Sequence, residues 1–562
     1  MPNVFASAGS FTVTSATQFT VTDATAFGGS KPKGVLLWTG NHAVDTVSDH
    51  AHFGSWGCTQ NDIVGAAMRY RHAFGTSAVN RTNADGNASV SGSVTILADT
   101  STSIECDMDC NGDGIGSNPG PITDGWRFDV TSFSATSITF NYLLLGGDDL
   151  EVTAISRRIN NATEPFAHNF SKTDRLLGWT WDGNETTDNG NHTRTSIYNS
   201  YGCFATNNGG STFQQWAVGQ REVNGSAAQD IVGIFSNTEC SAVATVDSGH
   251  TNSNTHEARV TALDSTDITV TRTLWPTASP QPILFMFVIS IPASMNVWAG
   301  NYTLPTSGGT FTPSSQPGFQ PDVYGIMASG HTTANDHEQV EGSGAWSFGI
   351  QDQYGNHKSA SIIVEGEMLN IETTYARSLT STKFLDQRTV SSGSESIAAQ
   401  FDAATFIGTG IEVSSPVGTF GGLAGAFAFE TATTTPIDVS VTDTLSFTDA
   451  SSETIEFNVS VAEVLSLVDT ILGEGPFTGI ATESLVFTDQ ADVVSPFFLT
   501  VIDNLVFGDA AAQSGIEPPP RQRGGRTIET VRQMRAIERM QVLARQDQEL
   551  LKALKRMLRK ER

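Results

Sequence analysis

The segment IDVSVTDTLSFTD, residues 437–449, returns as FNVSVAEVLSLVD at 457–469, FTGIATESLVFTD at 477–489 and FFLTVIDNLVFGD at 497–509. The period is twenty residues, without a slip. Ile437, Val439, Val441, Leu445 and Phe447 share one parity, as do their counterparts. Side chains alternate along an extended chain, so these positions mark one face of a strand. So short a unit cannot bury that face alone; it must stack on its neighbours, in its own chain or another. The same parity carries two acid series: Asp443, Glu463, Glu483, Asp503, and Asp449, Asp469, Asp489, Asp509. Stacked as rungs, such acids come within about 5 Å of one another. Solvated turn positions or a bridging calcium ion would relieve the repulsion. Residues 431–512 therefore read as four β repeats forming a spacer or stalk.

The composition agrees with an all-β chain. Only 16% of the 562 residues are charged, and 53 are Gly. Val, Phe and Ile come in short runs between Asn/Gly/Asp/Ser turns. The formal charge of −28 argues against nucleic acid as a partner. That charge is unevenly spread. There is no Lys, Arg or His between Arg388 and Arg521, whereas Arg521 to Arg562 holds thirteen basic residues against five acids. The N-terminal residues lack the basic and apolar regions of a secretory leader. The longest apolar run, Ile283–Ile291, is too short to cross a bilayer and reads as a strand buried on both faces. The expectation is synthesis in a cytoplasm without ordinary export.

Three echoes divide the first 430 residues. KGVLLWTGN from Lys33, RLLGWTWDGN from Arg175 and DVYGIMASGH from Asp322 resemble one another. So do GSWGCT around Cys58, SYGCFAT around Cys203 and GAWSFGI around Trp346. A third pattern links Phe133, Thr136, Ile138 and Phe140 to Leu263, Thr266, Ile268 and Val270, and to Phe406, Thr409, Ile411 and Val413. They predict three tandem β-sandwich or jelly-roll-like modules at 1–155, 156–297 and 298–430. Beyond the repeats, 513–526 is a Pro/Gly linker. Residues 527–562 contain no Gly or Pro and read as a basic amphipathic helix. Ile537, Met540, Ala544, Leu551, Leu554 and Leu558 fit one heptad seam, which Asp547 interrupts. Val531 and Met534 fit only after a three-residue slip.

The residues that could carry chemistry are few. Asp107, Asp109, Asn111 and Asp113 alternate as calcium-loop ligands do, with Gly112 at the turn, but the twelfth position is Asn118 rather than Glu. The competing reading is a plain Asn/Gly/Asp turn. Cys58 with Cys106 and Cys203 with Cys240 occupy matching places in the first two modules, while the third lacks both. They are neighbours in that reading, as disulfides or as buried thiols, and Cys110 is left over. His50 and His52 are spaced for one strand face, without a third metal ligand in sight. No GxSxG elbow and no phosphate-binding glycine loop is present. All nine Trp precede residue 347, and read as core or as a platform for a surface glycan.

Two of these features resemble structural proteins of marine tailed bacteriophages. One is the module, with its G-F-x-P-x-φ opening in GFQPDVYGIM from Gly318 and its strand at Phe406, Thr409, Gly410 and Ile411. The other is the VSVTDTLSFTD repeat at Val439 to Asp449. The first module departs from that opening, and the second lacks its proline. The resemblance implies a non-enzymatic virion protein, assembled in the host cytoplasm. Within it, the sequence suits a tail or host-recognition fibre component, with a capsid or neck decoration as the alternative. Self-association is expected, as is contact with other virion proteins through 527–562. The alternatives from other classes are a carbohydrate-binding surface adhesin and a glycan-cleaving appendage. The first predicts an export or sorting signal; the second predicts two carboxylates about 5–9.5 Å apart in an aromatic cleft.

Overall fold

The computed structural model describes residues 3–39, 51–61, 67–76, 84–89, 94–97, 104–109, 114–134, 137–183, 190–194, 196–223, 231–246, 252–274, 283–335, 337–338, 344–364, 374–379, 383–391, 394–414, 417–418 and 421–431, then eight strands between 437 and 509. Of those in 51–105, 183–199, 220–232, 243–256, 336–346, 362–382, 388–396 and 437–509, it describes the backbone alone. The linker 513–526 and the expected helix 527–562 lie outside the described residues. The chain forms two compact units, Met1–Thr433 and Thr434–Arg562.

The first unit holds three sandwiches of one design. In the first, the larger sheet has the order Phe5–Val13, Ile138–Gly146, Pro32–Trp38, Ala51–Asn61, Ala67–Thr76, Ala84–Ser89. The smaller sheet runs Gln18–Thr22, Gly125–Phe133, Ile104–Asp109, Val94–Leu97. The second repeats this order with Glu151–Arg158, Ile283–Ile291, Arg175–Gly183, Ser196–Thr206, Gln214–Val223, Ile231–Ser236. Opposite lie Thr163–Ala167, Asp267–Leu274, Asn252–Leu263, Ser241–Val246. The third has Val297–Thr303, Leu423–Phe429, Val323–Ser329, Gly344–Asp352, His357–Val364, Thr374–Leu379, faced by two three-stranded sheets. Each sandwich is closed by antiparallel pairing of its first and last large-sheet strands: Phe5 opposite Gly146, Glu151 opposite Ser290, Val297 opposite Phe429. The strand opening the second sandwich starts before residue 156.

Two of the three echoes mark equivalent strands. The Lys33, Arg175 and Asp322 segments supply the third strand across each large sheet, and Cys58, Cys203 and Trp346 lie on the fourth. The other echo misleads for the first sandwich. Ile138 and Phe140 sit in its last large-sheet strand, whereas Ile268 and Ile411 sit in strands of the smaller sheets that pair with Thr163–Ala167 and Thr310–Phe311. A short alternating strand reads the same in either sheet, so the pattern alone does not say which sheet it joins.

The central strands are buried on both faces. Every residue of Ile138–Gly146, Ile283–Ile291, Val323–Ser329 and Leu423–Phe429 is buried. One face of each large sheet packs inside its own sandwich. Phe128 and Phe140 lie in the first such core, Phe166 and Met286 in the second, and Tyr324 and Phe401 in the third. The other faces meet in one shared core, which takes in Trp38 and Leu143, Trp179 and Phe287, and Met327 and Phe427. Trp38 meets Phe348 edge-on at 5.2 Å between ring centroids, and Trp179 meets Phe427 likewise at 5.2 Å. Gly34 lets the first and second sheets close up; a Cβ there would lie 2.9 Å from Phe287 and Val152. Continuous apolar strands are what sheets covered on both sides require.

Strands also cross between sandwiches. Gly190–Arg194 of the second extends the first large sheet at Ala84–Ser89, and His337–Glu338 of the third extends the second at Ile231–Ser236. Among the described residues the only α-helix is Ala24–Phe27, capped by the Asp23 side chain; none is long and apolar enough to cross a membrane.

The second unit answers how the repeats stack. Ile437–Val441, Phe457–Val461, Phe477–Ala481 and Phe497–Val501 form one parallel sheet within the chain. Leu445–Asp449, Val464–Asp469, Ser484–Asp489 and Asn504–Asp509 form another. Both run in twenty-residue register, so Asp449, Asp469, Asp489 and Asp509 are successive ladder partners. The other acid series, Asp443, Glu463, Glu483 and Asp503, lies outside the described residues.

Candidate functional site

The calcium-like stretch begins on Ile104–Asp109 of the first small sheet. Cys106 and Met108 face the sandwich core, which leaves Asp107 and Asp109 on the opposite side, half-buried. Asp109 stands directly across from Asp129, so two carboxylates face each other on neighbouring strands. Thr131 donates its hydroxyl to the Asp107 carbonyl at 3.2 Å and to its carboxylate at 3.5 Å. The Arg127 guanidinium ties the loop that follows. It donates to the carbonyls of Gly114, Gly116 and Asn118, and both glycines adopt positive φ. Asn111 and Asp113, the other two candidate ligands, lie outside the described residues. Among the described residues no group of three His, Cys, Asp or Glu could hold a metal ion.

The cysteine reading changes in its geometry. Cys106, Cys203 and Cys240 are buried thiols outside any disulfide. Cys203, on the large sheet, lines the shared core, whereas Cys240 lines the core of the second sandwich, so the two lie on opposite sides of that large sheet. Burial raises both thiols well above their ordinary range. Cys106 and Cys240 are not equivalent either. Cys106 is in the third strand of its small sheet, and Cys240 immediately precedes the fourth strand of its own. Cys58 and His52 are described by backbone alone, and Cys110 and His50 lie outside the described residues. Trp38, Trp126, Trp179, Trp181, Trp216 and Trp298 are all buried, as packing residues are.

Buried carboxylates went unread in the sequence. Asp352, fully buried, accepts from the Ala8 amide of the first sandwich at 2.9 Å. It also accepts from the amides of Tyr354 and Asn356 and from the Asn356 side chain. The string Asp352-Gln-Tyr-Gly-Asn356 was legible as a turn, but not as a tie between sandwiches. Burial raises its pKa, against the pull of these hydrogen bonds. Glu164 and Glu239 are buried and paired with Arg157 at 3.1 Å and Arg259 at 2.9 Å.

The end of the first unit is held by a compact polar set. Thr431 donates its amide to Asp322 at 2.7 Å, and Glu430 accepts from the Asn296 amide at 2.7 Å and side chain at 3.1 Å. Burial pushes Asp322 up to about 6, with the nearby Glu430 charge adding to it and the Thr431 hydrogen bonds opposing it. These groups fix backbone where the last strand leaves the sandwich. They orient chain rather than present a nucleophile beside a base.

The fold and these places define a class: a tandem β-sandwich protein followed by a parallel β-repeat unit. No known family matches the chain, and no curated protein does. Among solved structures, domains LG4-5 of the mouse laminin α1 chain align over 48% of this chain and 81% of theirs. The identity is 6% and the TM-score 0.08, too low to bear on fold or function.

Proposed function

We propose that this chain is a non-enzymatic bacteriophage virion structural protein, a tail or host-recognition fibre component. The observation that supports it best is the architecture of the first unit. Three sandwiches share one core and extend one another's sheets, which suits a rigid displayed body. The stacked repeats follow as a spacer, and the basic segment 527–562 anchors the chain to other virion proteins or to further copies of itself. The polar sites described above hold backbone and fit a structural role. A host surface glycan is a candidate ligand for the body, and calcium a candidate companion of Asp107 and Asp109 or of the stalk acids. Deleting 527–562 tests the anchor. The shortened chain is expected to fold and to be missing from purified particles; normal incorporation would refute that role.

A further inference from the structure

The three sandwiches close on one another in a ring. The first strand of each large sheet lies against the fourth and fifth strands of another sandwich. Phe5–Val13 packs on Gly344–Asp352 and His357–Val364 of the third. Glu151–Arg158 packs on Ala51–Asn61 and Ala67–Thr76 of the first, and Val297–Thr303 on Ser196–Thr206 and Gln214–Val223 of the second. The contacts therefore run in one sense: first on third, third on second, second on first. Ala8 and Ala299 hold matching places in this scheme. Each faces the shared core from a first strand, opposite Leu143 and Phe427 respectively. Each gives its amide to a side chain of the neighbouring sandwich, Ala8 to Asp352 at 2.9 Å and Ala299 to Gln214 at 3.4 Å.

The ring is not joined equally all round. Residues 147–150 link the first sandwich to the second, and Lys33 holds them through the carbonyls of Asp148 at 3.1 Å and Leu150 at 2.8 Å. Residues 292–296 link the second to the third, and Arg175 donates to the Met295 carbonyl at 3.0 Å. These two seams are also crossed by the added strands Gly190–Arg194 and His337–Glu338. The seam between first and third has no linker, and among the described residues no strand crosses it. Side chains hold it: Asp352 on Ala8, the Asn141 amide on the Ser359 carbonyl at 3.1 Å, and Trp38 edge-on to Phe348. Asp352 is tied to its own sandwich by the amides of Tyr354 and Asn356 and by the Asn356 side chain. On separation the Ala8 bond is the one that parts.

We infer that the first unit opens as a ring at this one seam, the first and third sandwiches parting as folded bodies while the two chain-bridged seams hold. Opening wets part of the shared core, so it is rare and sensitive to denaturant. It gives the body a second shape in which the first sandwich is an arm carried by the second.

Hydrogen exchange of the full-length chain, read residue by residue in urea below the unfolding transition, tests it. The Ala8 amide reports the seam between first and third. The Val297 amide, held by Asn207 at 3.0 Å, reports the seam between second and third. The central strand Ile138–Gly146 reports unfolding of the first sandwich. Corrected for intrinsic rates, Ala8 is expected to exchange about tenfold faster than Val297 and the central strand, with a urea slope above zero and below theirs. A zero slope would mean the fraying of one bond, and a slope equal to the central strand's would mean opening only by unfolding; either overturns the inference. So would a Val297 amide that behaves as Ala8 does. Phe128 lies inside the first sandwich, away from the seam. Phe128→Leu should speed exchange of the central strand about tenfold and leave Ala8 unchanged, because that sandwich stays folded in the open ring. Equal acceleration of Ala8 would overturn the inference.

Discussion

Gly425 and Trp216 allow the shared core to be tested with two substitutions. Trp216 belongs to the second sandwich, is 1% exposed, and donates its indole N–H to the Ala426 carbonyl of the third at 2.8 Å. Gly425 lies under the ring, and a Cβ there would sit 2.1 Å from Cδ2 and 2.3 Å from Cε3 of the indole. Gly425→Ala therefore forces two sandwiches apart or tilts the ring, at about 3 kcal/mol, the upper range for overpacking. Trp216→Ala opens a cavity and removes the hydrogen bond, at about 4 kcal/mol. Independent sites would add to about 7 kcal/mol in the double variant. In contact, the new methyl enters the space left by the ring, so the double variant loses only about 4 kcal/mol and the coupling is about 3 kcal/mol. The assay is denaturant unfolding of the full-length chain followed by tryptophan fluorescence. All nine tryptophans precede residue 347, so the signal reports the first unit. Additive costs would refute a core shared between sandwiches.

Two further outcomes follow from ionisation and burial. Asp322 titrates at about 6 when folded against 3.8 ordinarily, so its folded form holds a proton more tightly. That favours folding most below pH 4, and the contribution is lost as pH rises through 6, by at most about 3 kcal/mol. Asp322→Asn keeps an acceptor for the Thr431 amide and removes the charge, so it should stabilise the chain more at pH 8 than at pH 4; equal changes at both would contradict this. Cys106, Cys203 and Cys240 are fully buried, so a maleimide at pH 7.5 should spare all three until the chain is denatured; native labelling at any of them would show the packing to be wrong.

The repeat unit was the most legible part of the sequence. A parallel in-register ladder places identical positions on top of one another, so its period is written directly in the residues. The buried strand Ile283–Ile291 was legible for a related reason, since only a strand covered twice is apolar at nearly every position, here at all but Ser290. What covers it was not. Trp179 and Phe287 read as core residues, but nothing in their spacing separates the interior of one sandwich from a core made by three. The echo at Phe133–Phe140 failed because alternation states a face without naming a sheet. The equivalence of Cys106 and Cys240 failed for the same reason. The Asp352–Ala8 bond spans 344 residues and leaves no local trace.

The central claim is that the chain is a particle component held by its C-terminal end and displaying its N-terminal sandwiches. Imaging purified particles with gold on a tag at either terminus tests it most directly. A label after Arg562 should lie at the particle attachment, and a label before Met1 should lie displaced outward on the displayed body. Particles devoid of the chain, or labels in the reverse order, would contradict the account.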